Sequence, residues 1–203
     1  MIRYLYDPAN AVTALGLVFA TTAIYFALIG HFELAICFSL WALLADDADG
    51  MIAKYSRNRS ALTAQIGGAF DNLADLVYAC IFPSVLILSF NAFSGPALLA
   101  ALCLVLSGAL RLAYFSTFGL DEDGFGRGLP LNNDVFVLAI LFAADHYLRI
   151  RHLGVALIGA AFVLSGLHLA SFRFPGTGTK LRLTNLTLVV AGSIALLTSE
   201  LAS

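Results

Sequence analysis

Apolar runs long enough to cross a lipid bilayer occupy most of this sequence. Seven stretches approach the roughly 20 residues that a spanning helix needs, and they cover 9–30, 32–53, 66–91, 95–118, 131–148, 152–171 and 183–200. Of 203 residues, 60% are hydrophobic and 12% charged, more apolar surface than one small soluble core could bury. We therefore predict an all-α integral membrane protein with a single domain over 1–203, built as a bundle of six to seven transmembrane helices. The net charge of −2 gives no indication of nucleic-acid binding.

Basic residues predict how this bundle is oriented, because loops rich in Lys and Arg stay in the cytoplasm. If every run spans, one side of the membrane carries Arg3, Lys54, Arg57, Arg59, Arg111, Arg127, Arg173, Lys180 and Arg182. Arg149 and Arg151 fall on the other side. The amino terminus is therefore predicted to be cytoplasmic. The last run is shorter and more polar at its start, so it either spans or lies at the interface.

Five aspartates lie within thirty residues, at adjoining ends of the second and third runs. An ionised carboxylate in a spanning helix costs about 2.5–3.5 kcal/mol, so such residues are rare and usually functional. Asp46 and Asp49 are three residues apart and share a helix face. Asp71 and Asp75 are four apart and also share a face, so four carboxylates can converge from two antiparallel helices. Asp47 is offset from the first face, and capping or solvation is one interpretation of it.

A divalent metal would explain why these carboxylates stand together. Carboxylates at close range repel one another, and a bound cation neutralises them. Oxygen-only ligation suits hard ions such as Mg²⁺, Mn²⁺ or Ca²⁺. Lys54, Arg57 and Arg59 follow directly, and carboxylates, metal and cations side by side suit a pyrophosphate substrate. A cation-coupled transporter using the same aspartates is the alternative outside this class.

Two glycines flank the aspartates. Gly50 follows Asp49, and Gly67 precedes Asp71 by four residues. Glycine inside a helix costs about 1 kcal/mol relative to alanine, so a reason for its presence is expected. Close approach of a ligand or of another backbone is such a reason.

The spacing of these residues resembles that of the CDP-alcohol phosphotransferases, also called CDP-alcohol phosphatidyltransferases. That family carries Asp-x2-Asp-Gly-x2-Ala-Arg, usually followed by eight residues and then Gly-x3-Asp-x3-Asp. This sequence reads Asp46-x2-Asp49-Gly50-x2-Ala53-Lys54, then twelve residues, then Gly67-x3-Asp71-x3-Asp75. It departs from the family pattern in two ways: Lys54 stands where arginine is usual, and the spacer is four residues longer. Lysine keeps the charge but lacks the planar fork of arginine.

The resemblance implies a metal-dependent transferase of phospholipid biosynthesis in which an alcohol attacks CDP-diacylglycerol and CMP leaves. It implies two divalent ions, Mg²⁺ or Mn²⁺, and a general base, Asp75, with a metal ligand set consisting of Asp46, Asp49, Asp71 and Asp75. The residues that we expect to bind substrate are Gly50, Ala53, Lys54, Gly67, Arg111 and Arg127. It also implies about six core helices, commonly in a homodimer, and a site that faces the cytoplasm from a bacterial inner membrane.

Two bacterial branches of the family resemble the chain in shorter motifs. Phosphatidylserine synthases resemble it over 108–112 and 171–175, whereas phosphatidylcholine synthases resemble it in the twelve-residue spacer. Serine brings a carboxylate, which Arg111 could bind, unless this arginine only extends to the lipid headgroups. Choline brings a quaternary ammonium, which needs an aromatic cage such as Tyr78, Tyr114 and Phe115. We expect L-serine as the acceptor, with choline as the alternative; a soluble CDP-alcohol with a lipid acceptor also remains open.

Other polar residues have simpler interpretations. Arg127, in the polar loop 119–130, could contact phosphate or only solvent. Three polar residues open the fifth run, Asn132, Asn133 and Asp134, and they are expected to cap it, with contact to a headgroup as the alternative. The histidines fall mostly at run ends and are expected to be interfacial; they are His31, His146, His152 and His168. Arg173, Lys180 and Arg182 satisfy the positive-inside rule or bind anionic headgroups.

Overall fold

A computed structural model of the chain describes residues 1–56, 59–176 and 179–202, the last range with side chains from 182 to 198. Arg57 and the side chain of Lys180 therefore lie outside the described residues. After a 3-10 turn at Ile2–Tyr6, the helices are α1 Pro8–Leu28, α2 Phe32–Tyr55, α3 Ala61–Leu76, α4 Phe82–Phe90, α5 Gly95–Phe118, α6 Asn132–Leu148, α7 Leu153–His168 and α8 Thr179–Ala202. A π-helical turn, Val77–Ile81, joins α3 to α4 into one continuous helix.

Each predicted apolar run coincides with one continuous helix, which confirms the all-α fold class. The third helix begins at Ala61, five residues before the apolar run, because Ser60 caps it: the Thr63 N–H donates to Ser60 Oγ at 3.1 Å. Between α1 and α2 the chain reverses at Gly30, whose φ of +88° suits glycine. The two helices then pack along much of their length, as the short connection predicts.

Within the described residues, three helices are long and apolar enough to cross a membrane by length and composition: Pro8–Leu28, Ala61–Phe90 and Gly95–Phe118. The helix α2 carries Glu33, Lys54 and the first three aspartates of the acidic cluster. These charged residues lower the mean hydropathy of the helix. Leu153–His168 and Arg182–Thr198 are shorter apolar helices. Whether α8 spans or lies at the interface stays a prediction.

On α1 and α5 most of the buried positions carry small residues, and large apolar residues face outward. On α1 the buried positions include Ala9, Thr13, Gly16, Ala20, Ala23 and Ala27. On α5 four leucines at four-residue spacing are at least half exposed; they are Leu98, Leu102, Leu106 and Leu110. Small residues allow helix backbones to approach closely, and in lipid the packing gained this way drives helix association. The pattern is that of helices whose outer surface is solvated by lipid.

The π-helical turn lies directly after the second pair of aspartates. Pro83 follows it, and in a regular α-helix its ring would collide with the carbonyl of Ala79. The wider turn relieves this collision, and its Phe82 N–H donates five residues back to the Val77 carbonyl. The Tyr78 carbonyl in the same turn accepts from Ser39 Oγ at 3.3 Å. Both the proline in the sequence and the hydrogen bond from α2 therefore stabilise the π-helical turn beside the aspartates.

Two short strands, which the sequence analysis did not predict, bring distant loops together. Strand β1 (Phe125–Arg127) pairs antiparallel with β2 (Arg173–Pro175). Arg173 also donates to Asp121 at 2.8 Å and to Asp123 at 2.7 Å. The Phe125 N–H, and then Arg173, hold the pKa of Asp121 below its ordinary value. This pairing fixes the loop that follows α5 against the segment that precedes α8.

A buried ion pair joins α6 to α7. His168 Nε2 lies 3.0 Å from Asp134 Oδ1, and both side chains are fully buried. The other ring nitrogen, Nδ1, lies 3.3 Å from Ser107 Oγ on α5. The prediction that Asp134 caps its helix is therefore wrong, and His168 is buried instead of interfacial. Both errors have one cause: the partners are separated by 34 residues and meet only after the helices pack.

Removing one member of this pair should destabilise the bundle, because a buried charge or polar ring loses its partner. We expect Asp134→Leu or His168→Leu to lower the free energy of unfolding by about 3 kcal/mol. The double variant Asp134→Leu/His168→Leu should regain much of that loss. Thermal unfolding in one detergent measures all four proteins, and single variants as stable as the parent would contradict a structural role.

Candidate active site

The two predicted aspartate faces meet in the structure. Asp46 and Asp49, one turn apart on α2, and Asp71 on α3 each offer a carboxylate oxygen, and these three atoms lie within 4.8 Å of one another. Asp75, one turn after Asp71, interacts electrostatically with Asp46 and with Tyr78. Four carboxylates from two helices thus occupy one small region, with Asp75 at its edge.

Neighbouring helices orient the aspartates of α2 individually. Thr13 on α1 donates its hydroxyl to Asp49 Oδ2. Asp47 is buried and accepts from Asn185 Nδ2 on α8 at 2.9 Å. Asp47 therefore neither caps a helix nor contacts bulk solvent, which was one interpretation of its offset position. Asp49 and Asp47 thus each have a protein donor that sets the direction of the side chain before any ligand is bound.

A cavity of about 350 Å³ opens on these carboxylates, and we call it the aspartate cavity. Its acidic residues are Asp46, Asp47, Asp49, Asp71 and Asp75. Two guanidinium groups, those of Arg111 on α5 and Arg182 on α8, line it as well. Gly126 of β1 and the β2 residues Phe174 and Pro175 complete one wall. Acidic, basic and backbone groups from six elements of the fold therefore converge on one space.

A smaller cavity of about 140 Å³ adjoins the aspartate cavity. It shares Asp49, Gly50 and Asp71 with the larger one and adds Ala53 and Gly67. The motif glycines and the motif alanine are thus brought together beside the acidic cluster. We call this space the glycine cavity.

Gly67 is glycine because two side chains occupy the space in front of it. A Cβ at this position would collide with Asn10 Oδ1 and would lie 2.6 Å from Arg59 Nη2. Both of these groups are pinned: Arg59 pairs with both oxygens of Asp7, at 2.9 and 3.0 Å, and Asn10 Nδ2 donates to the Tyr4 carbonyl at 3.0 Å. The expected close approach at Gly67 therefore exists, and in the structure it is made by side chains.

Two predicted substrate-binding residues lie away from the aspartate cavity. Lys54 is exposed in the last turn of α2 and lines neither the aspartate cavity nor the glycine cavity. Arg127 is exposed on β1 and lines a third cavity of about 290 Å³, together with Tyr114 and His168. Arg111 borders both this third cavity and the aspartate cavity. The structure thus brings Arg111 to the aspartates, whereas Arg127 reaches only the adjoining space.

The sequence analysis missed the partners that arrange this region. It placed Arg59 in a basic loop but gave no sign of its ion pair with Asp7, 52 residues away. It assigned Arg182 to membrane orientation or lipid binding, and the contact of Asn185 with Asp47 spans 138 residues. One signal was present: α8 opens with polar residues, which is unusual for a helix that only faces lipid.

The residues of the aspartate cavity fit a hard divalent cation. All candidate ligands are carboxylate oxygens, which Mg²⁺ and Mn²⁺ prefer. Among the described residues, Asp71 Oδ1 and Asp75 Oδ1 are buried without a hydrogen-bond partner. A buried acceptor left unpaired is costly, and a cation between these oxygens would remove that cost. Asp46, Asp49 and Asp71 are the set whose geometry could hold one ion.

A methyl group at Gly67 should disturb this region, whereas one at the next residue should not. In Gly67→Ala the methyl group must displace Asn10 and Arg59 from their partners, and we expect a loss of about 1–3 kcal/mol. Gly68→Ala is the matched control, because a Cβ there meets nothing within 4 Å and alanine favours the helix. Thermal unfolding compares the two. Equal stability of both variants would contradict the close approach at Gly67.

Comparison with known protein families agrees with this geometry. No individually curated protein matches the chain. A family model described as CDP-alcohol phosphatidyltransferase matches residues 7–197, a span that includes the aspartates, both motif glycines and the arginines of the aspartate cavity. Because the match covers nearly the whole sequence, the chain belongs to the CDP-alcohol phosphatidyltransferase family.

Proposed function

We propose that this protein transfers the phosphatidyl group of CDP-diacylglycerol to the hydroxyl group of L-serine and releases CMP. The family supplies the coarser activity, transfer from a CDP-alcohol to an alcohol acceptor. The observation that carries the finer proposal is the meeting of five carboxylates and two guanidinium groups in one cavity. With divalent ions bound to its carboxylates such a site would neutralise a diphosphate, and it has an additional cation available for a carboxylate.

The chain's own residues divide the work of the reaction. The acceptor oxygen forms a new bond to the phosphorus that carries diacylglycerol, the bond from that phosphorus to CMP breaks, and CMP leaves with the electron pair. We assign Asp75 to take the proton of the attacking hydroxyl, because one of its oxygens is buried and unpaired beside the other carboxylates. Asp46, Asp49, Asp71 and Asp75 would hold two divalent ions, Mg²⁺ or Mn²⁺, which supply charge neutralisation at the phosphates when bound.

Substrate orientation falls to the residues around the acidic cluster. The glycine cavity, with Gly50, Ala53 and Gly67, is the proposed place for the nucleotide, because only small residues line it on the motif side. Lys54 stays in the proposal only through the family resemblance. Arg127 would contact an anionic headgroup from the third cavity. Fixed positions for both substrates lower the barrier mainly by saving orientational entropy.

The position of Arg111 favours serine over choline. Its Nε is buried without a hydrogen-bond partner among the described residues, and it interacts electrostatically with Asp75. A carboxylate bound to this guanidinium would place the serine hydroxyl near the proposed base. The aromatic residues considered for a choline cage do not enclose one space: Tyr78 is buried and donates to Asn132, and Tyr114 packs on Phe118.

The oligomeric state, the membrane and the orientation of the enzyme are also part of the proposal. By family resemblance we propose a homodimer in the bacterial inner membrane, with the aspartate cavity facing the cytoplasm. The basic residues of this end of the bundle support that orientation, since Arg59, Arg111 and Arg182 all lie beside the candidate site. Family membership favours the enzyme over the cation-coupled transporter that the aspartates alone left open.

CMP release tests the activity and the base together. With CDP-diacylglycerol and Mn²⁺, purified protein should release CMP when serine is added, and Asp75→Asn should lower kcat by at least about 100-fold because the proton acceptor is lost. Glu122→Gln, at an exposed carboxylate of the loop 119–130, is the control and should keep full activity. Choline, inositol phosphate and glycerol phosphate are tested in parallel. Turnover by Asp75→Asn at the parent rate would refute the assignment, and release stimulated by another alcohol would name a different acceptor.

Metal binding can be measured without turnover. A divalent ion that binds only the folded protein stabilises it by about 2.7 kcal/mol at 100 times its Kd, so Mn²⁺ should raise the Tm of the parent protein. Asp71→Asn should abolish most of this rise, because it removes one of the three converging oxygens. Glu122→Gln should show the full rise. An equal Mn²⁺ response in all three proteins would contradict the metal site.

A further inference from the structure

Arg182 is the second guanidinium that lines the aspartate cavity, and it lies outside the family's aspartate motif. It occupies the early turns of α8, and its Nε is buried without a hydrogen-bond partner among the described residues. A guanidinium presents five donors in a planar fork that matches phosphate or carboxylate. Leaving a buried donor unsatisfied is costly, so this position indicates an anionic ligand that arrives in the cavity.

Asp47 and Asn185 hold this arginine in place. Asn185 follows Arg182 by three residues and therefore shares its face of α8. Its amide donates to Asp47 Oδ2 at 2.9 Å, and both side chains are buried. Asp47 also interacts electrostatically with Arg182. The contact joins α8 to α2 and fixes the rotation of α8 that directs the guanidinium toward the cavity.

The guanidinium group faces the side of the cavity where the motif glycine lies. A Cβ on Gly50 would be 3.9 Å from Arg182 Nη2, so the glycine keeps the space before this cation open. Gly50 also borders the glycine cavity, whereas Arg111 borders the third cavity. A diphosphate that connects a nucleoside in the glycine cavity to a lipid therefore passes Arg182 first. Lys54, at the family's arginine position, is exposed and borders neither the aspartate cavity nor the glycine cavity, so it leaves this place to another cation.

We propose that Arg182 binds the diphosphate of the CDP-linked donor and that Asp47 and Asn185 are positioning residues for it. This inference rests on the proposed function, because it assigns the donor to the same site. It divides the two cavity cations between substrates: Arg182 serves the donor, and Arg111 serves the acceptor. The last helix thereby contributes directly to the active site.

Steady-state kinetics with each substrate varied separately test this division. In Arg182→Gln, KM for CDP-diacylglycerol should rise about tenfold or more, because a charge-assisted contact to phosphate is lost. KM for the acceptor should stay within about twofold, since those contacts are untouched. Arg182→Lys should recover part of the loss as a point charge. Arg151→Gln, at an exposed arginine in the α6–α7 connection, is the matched control and should behave like the parent. An unchanged donor KM, or a rise in acceptor KM alone, would overturn the assignment.

A double-variant cycle tests the positioning role. Asn185→Ala should raise donor KM by about fivefold through misplacement of the guanidinium, and Arg182→Gln/Asn185→Ala should be no worse than Arg182→Gln alone. Matching elution profiles and Tm values identify variants that are folded. If Arg182→Gln proves unfolded, Arg182→Lys carries the same test. Multiplication of the two effects would mean that Asn185 acts independently, and the positioning role would be refuted.

Binding of CDP separates this inference from the proposed function. With Mn²⁺ present, CDP should raise the Tm of the parent protein and of Arg151→Gln, and this rise should largely disappear in Arg182→Gln. A parent protein that binds CDP through Arg182 but releases no CMP would refute the proposed reaction and leave the inference standing. A parent protein that is active, with a CDP response that Arg182→Gln retains, would refute the inference and leave the reaction standing.

Discussion

Carboxylates gathered inside an apolar helix bundle repel one another, and much of the surrounding structure compensates for that repulsion. Thr13 and Asn185 donate to two of them, from α1 and α8. Three arginines also lie beside the cluster, and they are Arg59, Arg111 and Arg182. In a medium of low dielectric constant these contacts are worth more than they would be in water, and an uncompensated charge is correspondingly costly. The architecture can thus be understood as a scaffold that makes an acidic site tolerable in lipid.

The repulsion between the carboxylates is only partly compensated by protein contacts at the residues to which the reaction is assigned. Within the described part of the cluster, the buried oxygens that lack partners belong to Asp71 and Asp75, both on α3, while Asp47 and Asp49 of α2 accept from protein donors. Some carboxylates of this site are held rigidly by hydrogen bonds, whereas others keep oxygens free to bind a cation. The π-helical turn Val77–Ile81, directly after Asp75, belongs to the same arrangement, since irregular turns of this kind are frequent at functional sites.

Sequence reasoning reached the helices and the acidic cluster because both depend on local periodicity. Apolar length predicts each helix, and spacings of three and four residues place Asp46 with Asp49 and Asp71 with Asp75 on shared faces. It did not reach the pairs Asp7–Arg59, Asp47–Asn185 and Asp134–His168, which are separated by 52, 138 and 34 residues. Such contacts are set by how helices rotate against one another, and no periodic pattern carries that information. The strands β1 and β2, at three residues each, are too short for their alternation to be recognised.

The contact between Thr13 and Asp49 relates the depth of the site to the placement of α1 in a bilayer. Thr13 is five residues beyond the first residue of α1, Pro8, which corresponds to about 8 Å along the helix axis. The 21 residues of α1 match the roughly 30 Å thickness of the hydrocarbon core, so a spanning α1 would place the carboxylates beneath the headgroup plane. The lipid donor of the proposed reaction would reach that depth while its acyl chains stay among their neighbours. The proposed acceptor is water-soluble and would enter through the polar cavity, so the two substrates would meet after approaching from different phases.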